Sequence, residues 1–161
     1  MKKLILMRHA KSDWNNSLDD FERPLSERGK KEAPIMGKFI KNEDLIPDLL
    51  ISSPSQRTKE TLDLILNEVK EDIKIKFNDI IYENSYSKIV NLISGTDDKI
   101  KTLMILGHNP SMEELSKYFT GLDNFYDKFV TSALVLIKFD IKDWNEVKKV
   151  KGELVYFKTP K

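Results

Sequence analysis

Short apolar runs of strand length alternate with stretches of helical periodicity along the chain, and that alternation restricts the fold to α/β layers built on a mainly parallel sheet. The runs fall at residues 3–7, 49–52, 73–77, 102–106, 133–139 and 153–158. Between them, residues 53–69 place Leu62, Ile65, Leu66 and Val69 on one helical face. Their start, Ser53-Pro54-Ser55-Gln56, reads as N-cap, proline at the first helical position and a capping-box partner. Asn109-Pro110 repeats the device ahead of Met112, Leu115 and Phe119, with Glu113 and Glu114 suited to a positive helix N-terminus. A shorter helix is predicted at 87–94 through Ile89, Leu92 and Ile93. Residues 26–42 are helical through Ala33, Met36, Phe39 and Ile40, although Pro34 predicts a kink or a later start. The polar stretch 11–24 has no period and reads as a loop of functional length.

With 161 residues and no repeat, low-complexity segment or linker, one domain over 1–161 is expected. Lys+Arg 27 against Asp+Glu 26 leaves no bulk field to attract nucleic acid or an anionic membrane, so affinity for anions must come from local arginines. The absence of cysteine excludes disulfides, thiolate nucleophiles and cysteine-based metal sites, and fits a reducing compartment, with the cytoplasm as the expectation. The apolar stretch before Arg8 is too short for a signal peptide, and no later segment has membrane-spanning length.

Ligands of open α/β sheets gather beyond the carboxyl ends of the strands. His9 and His108, the only two histidines, each follow an apolar run, and Arg8 immediately precedes His9. Arg57 is expected one turn into the helix capped by Ser53, and His108 precedes the second proline-marked helix start. Two guanidiniums, two imidazoles and two helix N-termini describe an anion site, and a phosphoryl group best uses all of these parts. One imidazole would attack in line while the other binds the equatorial oxygens. Arginines nearby lower the pKa of His9, whereas a bound dianion raises it. Each element also has a plainer reading: a structural histidine, a surface ion pair, an ordinary capped helix. Lys11, Lys30 and Lys31 read as solvated charge, and Phe125, Tyr126 and Phe129 as a local packing cluster. Asp13 and Glu83 offer no metal-ligand spacing, so neither metal nor cofactor is expected.

These residues resemble the histidine phosphatase superfamily, the phosphoglycerate-mutase-like group. The resemblance is carried by residues 6–15 (LMRHAKSDWN), 23–29 (RPLSERG), 52–61 (SSPSQRTKET) and 106–110 (LGHNP), within a stretch from residue 4 to about 120. It implies a three-layer α/β/α sandwich, a phosphohistidine intermediate on His9, and a phosphate pocket of Arg8, Arg57 and His108. Ser12 and Asn15 match loop positions that touch phosphate or substrate in relatives, and Arg23 matches an arginine beside the pocket. Small size and the Arg-His-Ala-Lys-Ser and Arg-Pro-Leu forms are most similar to the SixA-type phosphohistidine phosphatases. The implied partner is a phosphorylated protein, such as a histidine phosphotransfer domain, or a small phosphate compound. Two departures stand out. Ala10 replaces a usual glycine and would be strained if its backbone needs an unusual angle. Glu83 is the one candidate for the general acid, with a surface carboxylate as the alternative. A phosphatase of small phosphate monoesters and a non-catalytic phosphate- or phosphoprotein-binding module are the alternatives in function; oligomeric state is left open.

Overall fold

The computed structural model describes residues 1–123 and 128–161. Six strands form one mixed sheet in the order β3-β2-β4-β1-β5-β6: β1 (Lys2–Arg8), β2 (Leu49–Ser52), β3 (Lys74–Phe77), β4 (Thr102–Gly107), β5 (Leu134–Phe139) and β6 (Glu153–Lys158). Strands β3, β2, β4 and β1 run parallel, while β5 lies antiparallel to β1 and β6 antiparallel to β5. The helices are α1 (Glu27–Asn42), α2 (Gln56–Val69), α3 (Asp79–Glu83), α4 (Tyr86–Ser94) and α5 (Ser111–Thr120).

Strand side chains alternate between two cores, because successive residues of a strand point to opposite faces. Leu4, Leu6, Leu103 and Ile105 join Ile89, Ile93, Leu115 and Phe119 of α4 and α5 on one side. Ile5, Met7, Met104 and Leu106 join Met36, Ile40, Leu62 and Ile65 of α1 and α2 on the other. The sheet is thus covered on both faces, and the carboxyl ends of β1, β2 and β4 open along one edge.

Two helix starts, those of α2 and α5, differ from the sequence reading, and that of α1 agrees with it. Helix α2 begins at Gln56 with Ser55 at the N-cap and no side-chain cap, so Arg57 is its second residue and not a turn inside it. Proline disfavours helical geometry for the residue before it, and Ser53 is drawn away from a capping role by other partners. Helix α5 starts at Ser111, with Pro110 at the N-cap position. Its first N–H is satisfied by Asn84, whose Oδ1 accepts from Ser111 N at 3.1 Å. Helix α1 starts at Glu27, capped by Ser26 through the Gly29 N–H, and continues through Pro34 without a delayed start.

The α3 turn was not expected; Asn78 caps it by accepting from the Ile80 N–H at 2.9 Å. The 11–24 loop is pinned at both ends, by a bridge between Ser12 and Leu25 and by a 3-10 turn at Asp20–Glu22. Gly29 is required where this loop crosses the start of α1. A Cβ there would stand 2.2 Å from the Lys11 carbonyl oxygen. No helix among the described residues is long and apolar enough to cross a membrane.

Candidate active site

Strand β1 ends at Arg8, and the next residue, His9, is held by the two neighbouring segments. Its N–H donates to the Gly107 carbonyl at the end of β4, and its own carbonyl accepts from the Ser132 N–H ahead of β5, at 3.0 and 2.9 Å. Ala10, fully buried, donates its N–H to Thr61 Oγ1 at 3.0 Å, and that hydroxyl donates to the Arg57 carbonyl at 2.7 Å. The His9 loop is therefore tied to the first turns of α2. Ala10 is not among the residues with positive φ, so replacing a glycine there introduces no backbone strain.

His9 Nδ1 lies 2.6 Å from the Ala10 carbonyl oxygen, which can only accept, so Nδ1 carries the hydrogen. Its Nε2 is then a lone-pair nitrogen, and it receives the Arg57 Nε–H at 3.3 Å. The same logic assigns His108. Arg57 Nη2 donates to His108 Nδ1 at 3.3 Å, which leaves the hydrogen on Nε2 to donate to Ser53 Oγ at 2.8 Å. The ring centroids of His9 and His108 are 5.1 Å apart.

Burial lowers the pKa of His9 well below the ordinary histidine value, and His108, Arg57 and Arg8 push it the same way against the opposing bond to Ala10. His108 is pushed down to about 3, by burial first and then by Arg57, with Arg8 and Arg23 adding and Asp20 opposing. The sequence named the arginines; it could not show that desolvation is the larger effect. These shifts keep both imidazoles neutral near pH 7.

One cavity of about 550 Å³ is lined by Arg8, His9, Ser12, Arg23, Arg57 and His108, with Lys11, Trp14, Asp20, Tyr82, Glu83 and Asn84 among its other walls. Six of the seven residues singled out from sequence meet there. Asn15 does not: it is exposed and outside the cavity, its N–H turned onto Asp13 Oδ1 at 2.8 Å in a tight local turn. Lys11 is half-buried on the wall, while Lys30 and Lys31 are exposed. Phe125 and Tyr126 lie outside the described residues. Phe129 is buried against Phe157, with ring centroids 5.7 Å apart.

Two wall residues escaped the sequence reading. The Asp20 carboxylate takes Arg23 Nη2 at 2.9 Å on one oxygen and Arg57 Nη2 at 3.2 Å on the other, and its main-chain carbonyl takes Arg57 Nη1 at 2.7 Å. The Tyr82 hydroxyl donates to Asp20 Oδ2 at 2.7 Å, and its ring meets His108 edge-on at 5.6 Å. Partial burial would raise the pKa of Asp20, but the Tyr82 hydroxyl and the two arginines outweigh it, so the carboxylate sits below its ordinary value. Tyr82 is raised in turn, by burial and then by Asp20. Ser53 was assigned a cap; the signal that identifies its function is its position directly after β2, level with the ends of β1 and β4.

Arg8 Nη1 donates to the Phe129 carbonyl at 3.1 Å, while its Nε, like that of Arg23, is buried with no partner among the described residues. Buried guanidinium N–H groups without acceptors are donors waiting for an anion. Glu83 stands on the cavity wall and pairs with Lys88 at 3.6 Å. Among the described residues no group of three or more His, Cys, Asp or Glu side chains is gathered as a metal site.

The sequence profile of the histidine phosphatase superfamily (branch 1) matches residues 4–120. The chain belongs to this superfamily. A crystal structure from Agrobacterium tumefaciens, described as the putative phosphohistidine phosphatase SixA, is 27% identical, covers 99% of both chains and superposes with a TM-score of 0.86. A protein histidine phosphatase SixA in complex with tungstate shares the fold at 17% identity, with 98% and 97% coverage and a TM-score of 0.83. An uncharacterised chloroplastic protein of Arabidopsis thaliana is 30% identical over 94% of this chain and 72% of its own length. The three-layer histidine phosphatase fold expected from the four motifs is the one observed. Within the superfamily, phosphatase or mutase chemistry is the activity class this membership supports.

Proposed function

We propose that this chain hydrolyses phosphohistidine on a protein through a phosphoenzyme formed on His9. The observation that carries the reading is the Nδ1–H bond of His9 to the Ala10 carbonyl, which leaves a neutral Nε2 lone pair beside Arg57. In the first step His9 Nε2 bonds to phosphorus as the P–N bond of the substrate breaks. The departing imidazole keeps the electron pair and takes up a proton. In the second, water attacks phosphorus, the bond to His9 breaks, a proton is released and inorganic phosphate leaves. Arg8, Arg57, Arg23 and His108 hold the phosphoryl oxygens, and Ser12 contributes from the wall. His108 then carries a proton, because the bound dianion reverses the local charge that keeps it neutral when the site is empty. The Ala10 carbonyl supports the positive charge that His9 gains on phosphorylation.

The P–N bond suits this site because its leaving group demands less protonation than an alkoxide does. Glu83, the only acid candidate read from sequence, is half-exposed and paired with Lys88. The likeness to the SixA structures supports the same substrate class. Hydrolysis of small phosphate monoesters is the second reading, favoured by the presence of Glu83 on the cavity wall, from which it would protonate an alkoxide. Retention of both histidines argues against a binding module without turnover. The reaction is proposed to need no metal, and the catalytic unit to be one domain, residues 1–161, working in the cytoplasm.

The test supplies a phosphohistidine protein, phosphoramidate and p-nitrophenyl phosphate with chelator present. Turnover of the P–N substrates, faster than of the ester, with an acid-labile phosphoryl label on the wild type and none on His9→Ala, is the expected result. Faster turnover of small esters overturns the substrate class; loss of activity with chelator overturns the metal-free step.

A further inference from the structure

Trp14 is an anomaly on the cavity rim: a large indole left 68% exposed at the mouth of an otherwise charged site. One face is taken, since the Arg23 guanidinium carbon lies 3.5 Å from the ring centroid. That stack is anchored in turn, because Arg23 holds Asp20 at 2.9 Å and Asp20 holds Arg57, which contacts His9. A chain of contacts therefore fixes the indole relative to the nucleophile, while most of its surface faces solvent. The stack on Arg23 uses one face of the indole and leaves the rest of its apolar surface in water, available to a flat ligand.

The cavity volume of about 550 Å³ also exceeds what a phosphoryl group fills and lies in the ordinary range for pockets that enclose whole ligands, about 300–1,000 Å³. The cationic groups that line it account for the phosphoryl oxygens. They offer nothing to the group that phosphorus leaves.

We propose that the open face of Trp14 is the platform on which the leaving-group ring stacks, making Trp14 the residue that selects imidazole-borne phosphoryl groups over ringless phosphoryl donors. The proposal rests on the phosphohistidine reading above and adds a specificity element to it. A flat aromatic ring uses an indole face, and a protonated imidazole adds the attraction of a cation for that face. The phosphoryl group would be held by Arg8 and Arg57, and the ring by Trp14 on the same cavity wall. Because Trp14 touches the substrate ring and not the reacting atoms, its contribution falls mainly on KM.

The experiment compares wild type, Trp14→Ala and Trp14→Phe on a phosphohistidine peptide, phosphoramidate and p-nitrophenyl phosphate. Trp14→Ala is expected to raise KM about three- to tenfold for the two ring-bearing substrates, with kcat nearly unchanged and phosphoramidate kinetics unaltered, and Trp14→Phe to restore most of the loss. Trp14 is exposed, so its replacement leaves folding intact. Its emission provides a binding readout, since the only other tryptophan, Trp144, is fully buried. The His9→Ala protein should show quenching with the phosphohistidine peptide and none with phosphoramidate. An equal loss on all three substrates would show that Trp14 serves only to position Arg23, and no loss on any would show that the ring lies elsewhere; either overturns the platform alone. Failure of the wild type to turn over either P–N substrate overturns the phosphohistidine reading and the platform with it.

Discussion

Two histidines in one chain make the site unusually easy to interrogate at the level of single residues. Both should titrate well below the ordinary histidine value in the empty protein, His108 near 3, and both should move upward when inorganic phosphate binds. Proton NMR of the imidazole C2–H signals checks this directly; a histidine titrating near 6.5 in the phosphate-free protein would contradict the burial that sets these values. Thr61→Val should leave the Ala10 N–H without its acceptor. Leaving a buried backbone donor unsatisfied costs about 1–3 kcal/mol, measured by urea denaturation, and kcat should fall because the His9 loop loses its tether. Arg8, His9, Arg57 and His108 were legible because each sits where an apolar run ends or a marked helix begins. Asp20, Tyr82 and Thr61 were not, because their roles come from partners distant in sequence that no local pattern encodes. Asn15 illustrates the converse: it sits in a family motif, yet its own backbone turn with Asp13 carries it away from the cavity.

Among the elements, the 11–24 loop decides how the site is assembled, and the sequence showed only that it would be long and polar. Its crossing of α1 depends on Gly29. Gly29→Ala would drive a methyl group against the Lys11 carbonyl and should destabilise the protein by about 1–3 kcal/mol. It should also weaken phosphate binding, because Lys11 and Ser12 would be displaced together. The 3-10 turn that follows presents Asp20 to Arg23 and Arg57, the arginines proposed to hold phosphate. Removing that competing charge in Asp20→Asn should tighten inorganic phosphate binding several-fold by calorimetry; unchanged or weaker binding would mean that Asp20 chiefly orients the arginines. Helix starts were the least legible elements. Ser53-Pro54 has the composition of a cap, but the Ser53 hydroxyl is committed to His108, and the helix waits until Gln56. The cap of α5 comes from Asn84, another segment altogether, which a window over 109–113 does not contain.

For the whole molecule, burying two neutral imidazoles couples stability to pH. Each has a lower pKa folded than unfolded, so the unfolded chain takes up protons first. Their contribution is complete above about 6.5 and is lost as pH falls below it, for His108 down toward 3. The depressed Asp20 acts in the same direction at lower pH. Stability by urea denaturation should therefore decline from pH 7.5 to pH 5, and saturating phosphate should offset part of the decline by binding only the folded form. The alternation of apolar runs conveyed the layers and the parallel half of the sheet, but not that β5 and β6 would turn back against it. That return leaves β1 between β4 and β5, strands that follow it by roughly a hundred residues or more. During synthesis the segment bearing Arg8 and His9 is made well before its hydrogen-bonding neighbours β4 and β5, so the nascent chain holds an unpaired, apolar strand until β5 has emerged. Cells making this protein quickly should need chaperone capacity in proportion to that delay.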